Sequence, residues 1–162
     1  RRRHTRYPLV TGVQTCALPI FINKLMMNDF LTTYPVHKVT KQDAITYVSM
    51  LISLAEIDGM DQDESDAIKL LIENNKWEKD VFDLALAMGN VSIESLDLTQ
   101  EFIEVVGPYV IRDLLVIAYV SNGFSSAENE HIQLICKKFR VSKENYTRIH
   151  QAISSQFEAI LN

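Results

Sequence analysis

Apolar residues recur along most of this chain at three- and four-residue steps, and strand-like alternation is nearly absent, so the pattern predicts an all-α fold. Thr40 and Asp43 form a helix-opening pair, and Ala44, Ile45, Val48, Leu51, Ile52 and Ala55 follow on one stripe, giving a first helix that ends near Ile57. Asp61 with Glu64 opens a second helix, with Ala67, Ile68, Leu70 and Leu71 inward and Asn74-Asn75 at its close. A third helix is expected over 79–88, with Val81, Phe82, Leu84, Ala85 and Met88 inward and Gly89 as a left-handed cap. A connector holding a short helix over 99–106 comes next. Gly107-Pro108 then reads as a fresh start, since proline fits the first helical turn. The fifth helix would carry Val110, Ile111, Leu114, Leu115, Ile117 and Ala118 inward as far as about Ser121. Ser125 with Glu128 opens a sixth, offering Ile132, Leu134, Ile135 and Phe139 to the core. Ser142 opens a seventh, with Tyr146, Ile149, Ile153, Phe157, Ile160 and Leu161 on one side.

Within this pattern the chain repeats itself. Residues 51–64, LISLAEIDGMDQDE, return 64 positions later as 115–128, LVIAYVSNGFSSAE. Each copy is an apolar helical run, an Asp-Gly or Asn-Gly break, and a new helix opened three residues before a Glu. Trp77 and Phe82 align in the same way with Val141 and Tyr146. The expected architecture is a compact bundle of about seven helices, built from two pseudo-repeated three-helix units joined by a connector. Gly59 and Gly123 stand where the chain must leave a helix with positive φ. Met60 and Phe124 would fold back as locks on the preceding turn. Asp61/Glu64 and Ser125/Glu128 read as capping boxes, each stabilising by ~1 kcal/mol.

Charge is read correctly only after the first twenty residues are set aside. Arg1–Arg6 and residues 10–20 match what consecutive stretches of a common sequencing-library adapter encode in one frame. Residues 1–20 are therefore expected to be a non-native, disordered leader, residues 21–39 an N-terminal extension, and residues 40–162 the helical domain. The basic start and apolar run that imitate a secretory signal belong to that leader. Without Arg1, Arg2, Arg3 and Arg6, twelve basic residues face 21 acidic ones, and the formal charge moves from −5 to −9. So acidic a surface argues against nucleic acid, which is bound through Lys and Arg. Cys136 is then the one cysteine left, so no intramolecular disulfide or cysteine zinc site can form, and a cytoplasmic setting is expected. No apolar run reaches the ~18 residues of a membrane span.

The densest chemistry lies at the first break, where Glu56, Asp58, Asp61, Asp63, Glu64 and Asp66 put six carboxylates into eleven positions. Hard cations such as calcium or magnesium take carboxylate oxygens, so Asp58, Asp61, Asp63 and Glu64 are the candidate metal ligands. The spacing is not that of an EF-hand loop. The second copy has Asn122, Ser125, Ser126 and Ala127 where the first has Asp58, Asp61, Gln62 and Asp63, which confines any metal to the first corner. Against the cation stands a plain structural reading, in which the acids are helix caps and a solvated surface. His37, His131 and His150 lie in separate segments without an HExxH pattern or an evident nucleophile, so no catalytic residue is assigned.

The pattern Ala-x-x-Asp-Gly-x-x-x-x-Glu, carried by Ala55, Asp58, Gly59 and Glu64 and weakly echoed by Asn122, Gly123 and Glu128, resembles the TerB-like family of tellurite-resistance proteins. The resemblance spans about residues 40–160. It implies an all-helical domain associated with stress or tellurite resistance, whose acidic surface engages a metal ion or a protein partner. The expectation is a non-enzymatic module that binds a partner with a basic surface, and a divalent cation, through its acidic helix junction. The alternative is a metal-dependent, hydrolase-like enzyme that uses the same carboxylates.

Overall fold

The computed structural model describes residues 39–89, 92–120 and 124–161, without the side chains of 160 and 161. The leader over 1–20, the extension up to residue 38, His37, and the Asn122-Gly123 break lie outside the described residues. Six α-helices and one 3-10 turn make up the described chain, with no strand: α1 (Lys41–Ala55), α2 (Gln62–Asn74), α3 (Val81–Ala87), the turn Ile93–Ser95, α4 (Gln100–Val120), α5 (Ser126–Lys138) and α6 (Lys143–Leu161).

α1 and α4 form the centre because they are apolar nearly all round, which only a buried helix tolerates. Every residue from Tyr47 to Ala55 is shielded on α1, and Val110, Ile111 and the run 113–118 are shielded on α4. The two helices pack on each other. α2 and α3 pack on α1, α5 and α6 pack on α4, and each central helix also touches the second helix of the other half, α2 against α4 and α5 against α1. The shared core joins Leu51, Leu54, Ile68, Leu71, Leu114, Ile117, Ile132 and Ile135.

The break expected at Gly107-Pro108 is absent: α4 is one helix of 21 residues with Pro108 inside it. Proline removes one backbone donor and leaves the carbonyl four residues earlier, on Glu104, without its helical partner. Glu104 and Pro108 are both exposed, so that carbonyl lies on the solvent side of the helix. Gly107 lies on the other side against Phe139, where an added Cβ would come within 3.3 Å of the ring. The connector helix and the fifth helix thus fuse, which is why six helices replace the expected seven.

Three residues expected in the core are exposed: Leu84, Met88 and Leu134. At about 100° per residue, the buried face of α3 centres on Val81, Phe82 and Ala85, leaving Leu84 off its edge and Met88 beyond the last turn. On α5 the face is set by Glu128, Ile132, Ile135 and Cys136, and Leu134 points well away from it.

Helix ends follow local chemistry. Thr40 and Asp43 exchange side-chain and backbone bonds at the start of α1. Gly59 has φ +97° and Gly89 φ +66°, as their turns require. α2 and α5 both end in a Schellman motif whose left-handed residue is not glycine: Lys76 has φ 54° and Arg140 φ 55°. The N–H groups of Trp77 and Val141 close these motifs on Ile72 and Cys136, at 3.1 and 2.9 Å. Lys76 and Arg140 are 64 positions apart, the same interval as the repeat.

Candidate functional site

The α1–α2 corner is assembled by the capping box at its second helix. Asp61 Oδ1 accepts the Glu64 N–H at 2.9 Å, and Glu64 Oε2 accepts the Asp61 N–H at 2.9 Å. The α4–α5 corner repeats this with other atoms: Ser125 Oγ accepts from Glu128 N–H at 3.2 Å, and Glu128 Oε2 accepts from Ser125 N–H at 2.7 Å. Phe124 stacks on Tyr119 with ring centroids 5.5 Å apart, as a lock on the preceding helix, and Met60 packs against the core.

Both capping glutamates are buried, Glu64 at 1% exposure and Glu128 at 0%. Each uses one oxygen in its box, and the other, Oε1, is buried with no hydrogen-bond partner. A buried acceptor without a donor is destabilising by about 1–3 kcal/mol, more when charged. Burial first, and then the negative charges of Asp61, Asp58 and Glu128, push the Glu64 carboxyl up to about 7, against the Asp61 N–H bond that favours its ionised form. Glu128, from the other corner, makes the smallest of these contributions.

The other acids lie outward. Glu56, Asp58 and Asp66 are exposed; Asp61 and Asp63 are half-buried. Partial burial, then Asp61 and Asp66, raise the Asp63 carboxyl above its ordinary value. The described ion pairs lie elsewhere, Lys41 with Glu78 and Asp80, and Arg112 with Asp113, so among the described residues no lysine or arginine is paired with these acids. Asp58, Asp61, Asp63 and Glu64 therefore share a corner and a field. They do not share a coordination sphere, since no three His, Cys, Asp or Glu side chains among the described residues are placed to hold a metal ion.

Other polar groups are absorbed by packing. His131 is half-buried, and burial holds its imidazole below the usual value despite Glu94. His150 meets the Tyr119 hydroxyl at 2.9 Å amid Phe124 and Tyr146. Cys136 is buried, its thiol pushed up to about 11, which makes it a poor nucleophile.

Sequence reasoning missed a buried polar link between the central helices. Asp113, wholly shielded on α4, accepts the Tyr47 hydroxyl of α1 at 2.6 Å and pairs with Arg112 at 2.7 Å. The signal was present: an Asp between Ile111 and Leu114 falls inside an apolar run, where a charge persists only with partners.

Among the described residues no helix is long and apolar enough to cross a membrane. Compared with protein-family models, curated proteins and solved structures, the chain matches none.

Proposed function

We propose that this chain is a non-enzymatic binding module whose acidic α1–α2 corner engages the basic surface of a protein partner. The observation that supports it most is a set of exposed and half-buried carboxylates, Glu56, Asp58, Asp61, Asp63 and Asp66, gathered with no ion-pair partner among the described residues around a buried glutamate with a free oxygen. A guanidinium or ammonium arriving there relieves repulsion between the acids and gains charge-assisted hydrogen bonds. On this reading the paired helical corners are a TerB-like scaffold, and the stress or tellurite-resistance role follows from that resemblance.

A divalent cation is the second reading, favoured by the free Glu64 Oε1. As placed, the acids do not fit a closed metal site, and binding an ion requires Asp58, Asp61 and Asp63 to swing together. The two readings separate in an amide NMR titration. A Lys/Arg-rich peptide should shift residues 56–66 with an affinity that falls steeply with salt, and the Asp58→Asn, Asp61→Asn double variant should lose the response. Millimolar calcium or magnesium shifting those residues, with the peptide silent, would replace the first reading by the second. Silence to both would end the acidic-corner proposal.

A further inference from the structure

A cleft of about 470 Å³ opens where α2 ends and α3 begins, at the far end of α2 from the acidic corner. Its nearest lining residue, Lys69, follows Asp66 by three positions, about 5 Å of helix rise, while Trp77 and Phe82 lie past the end of α2. Ile72, Trp77 and Phe82 give the cleft apolar and aromatic walls, and Lys69, Lys76 and Lys79 stand on it with Glu73 as the one acid. In a chain where acids predominate, three ammonium groups against one carboxylate make this a local positive field.

The walls are fixed by the fold. Trp77 packs edge-on against Tyr47 of α1, with ring centroids 5.5 Å apart. Its backbone closes the Schellman motif on Ile72, and the left-handed Lys76 immediately before it sets the turn. Lys69 Nζ lies 4.8 Å from the centroid of the Phe82 ring, so a charge is held directly over one aromatic wall. None of the three lysines takes part in the described ion pairs. The volume falls in the range of small-molecule sites, which are mostly apolar clefts with a few placed polar groups.

We propose that this cleft binds a small aromatic anion, its ring against Trp77 and Phe82 and its acidic head among Lys69, Lys76 and Lys79. A neutral aromatic would forgo the three ammonium groups, and an inorganic anion would forgo the walls. The cleft shares no residue with the acidic corner, so either assignment can fail alone.

Trp77 is the chain's single tryptophan, so its emission reports occupancy directly. The probe is 8-anilinonaphthalene-1-sulfonate, titrated into the full chain, with uncharged N-phenyl-1-naphthylamine in parallel. Expected are a saturable one-to-one change in Trp77 emission and a neutral analogue weaker by about ten-fold or more. The Lys69→Gln, Lys76→Gln, Lys79→Gln triple variant should weaken sulfonate binding by a similar factor with its helical circular dichroism unchanged. Raising sodium chloride from about 20 to about 300 mM should weaken the wild-type complex several-fold, a readout that needs no variant. Displacement of the dye by 2-naphthoate or 1-naphthyl phosphate supports the assignment. No saturable signal, equal affinity for the neutral dye, or salt-independent binding overturns it.

Discussion

Glu64→Gln isolates the electrostatic consequence of burying a capping carboxylate beside three other acids. In the wild type the side chain is 1% exposed, one oxygen holds the Asp61 N–H at 2.9 Å, and the other has no donor. The carboxyl stands at about 7 instead of 4.5. At 1.36 kcal/mol per unit, that rise corresponds to about 3 kcal/mol between the two protonation states. The folded chain holds this proton more tightly than the unfolded one. The stability it contributes is therefore complete below pH ~4.5, is lost as pH rises towards ~7, and changes no further above that. Glutamine keeps an oxygen for the Asp61 N–H and cannot ionise. The stability of Glu64→Gln relative to wild type should thus climb by about 3 kcal/mol between pH 4.5 and pH 8. Urea unfolding of both proteins in parallel, followed by far-ultraviolet circular dichroism at half-unit pH steps, measures that difference, and groups common to both cancel. A difference that stays flat across this window, or falls, refutes the reasoning.

Four further outcomes follow from individual residues. Asp113→Ala removes the acceptor of the Tyr47 hydroxyl and the partner of Arg112, and should destabilise by about 3–5 kcal/mol in urea unfolding. Gly59→Ala meets no atom within 4 Å, so its loss of about 1–2 kcal/mol would come from backbone strain at φ +97° alone; an unchanged unfolding midpoint would contradict this. Arg140→Gly relieves a left-handed non-glycine residue and should raise stability by about 1 kcal/mol by the same measurement. Cys136 should react with iodoacetamide at pH 8 far more slowly in the native chain than in urea, as a buried thiol held near 11 requires.

Much of this fold was legible because the signals were local. Capping pairs at Thr40/Asp43, Asp61/Glu64 and Ser125/Glu128 each depend on residues three apart, and each formed as its spacing implied. Gly107-Pro108 misled for the same reason: proline marks a helix start in isolation, whereas here the contact of Gly107 with Phe139, remote in sequence, accompanies a helix that continues. Hydrophobicity alone points Leu84, Met88 and Leu134 inward, yet which arc of a helix is buried depends on its neighbours. The left-handed ends at Lys76 and Arg140 carried no glycine to announce them. At the candidate site, the sequence located the acids but not their division of labour. Periodicity cannot reveal that Glu64 is buried while Asp58 and Asp66 remain in solvent, because that depends on how the helices around the corner pack.

The central claim is that Glu64 is a buried capping carboxylate in the field of neighbouring acids, Glu128 among them. Carbon-13 NMR of the side-chain carboxyls, titrated in wild type and in Glu128→Gln, tests it most directly. The account predicts a Glu64 midpoint near 7 that moves down when the Glu128 charge is removed. A Glu64 midpoint near 4.5, or one indifferent to residue 128, would contradict it.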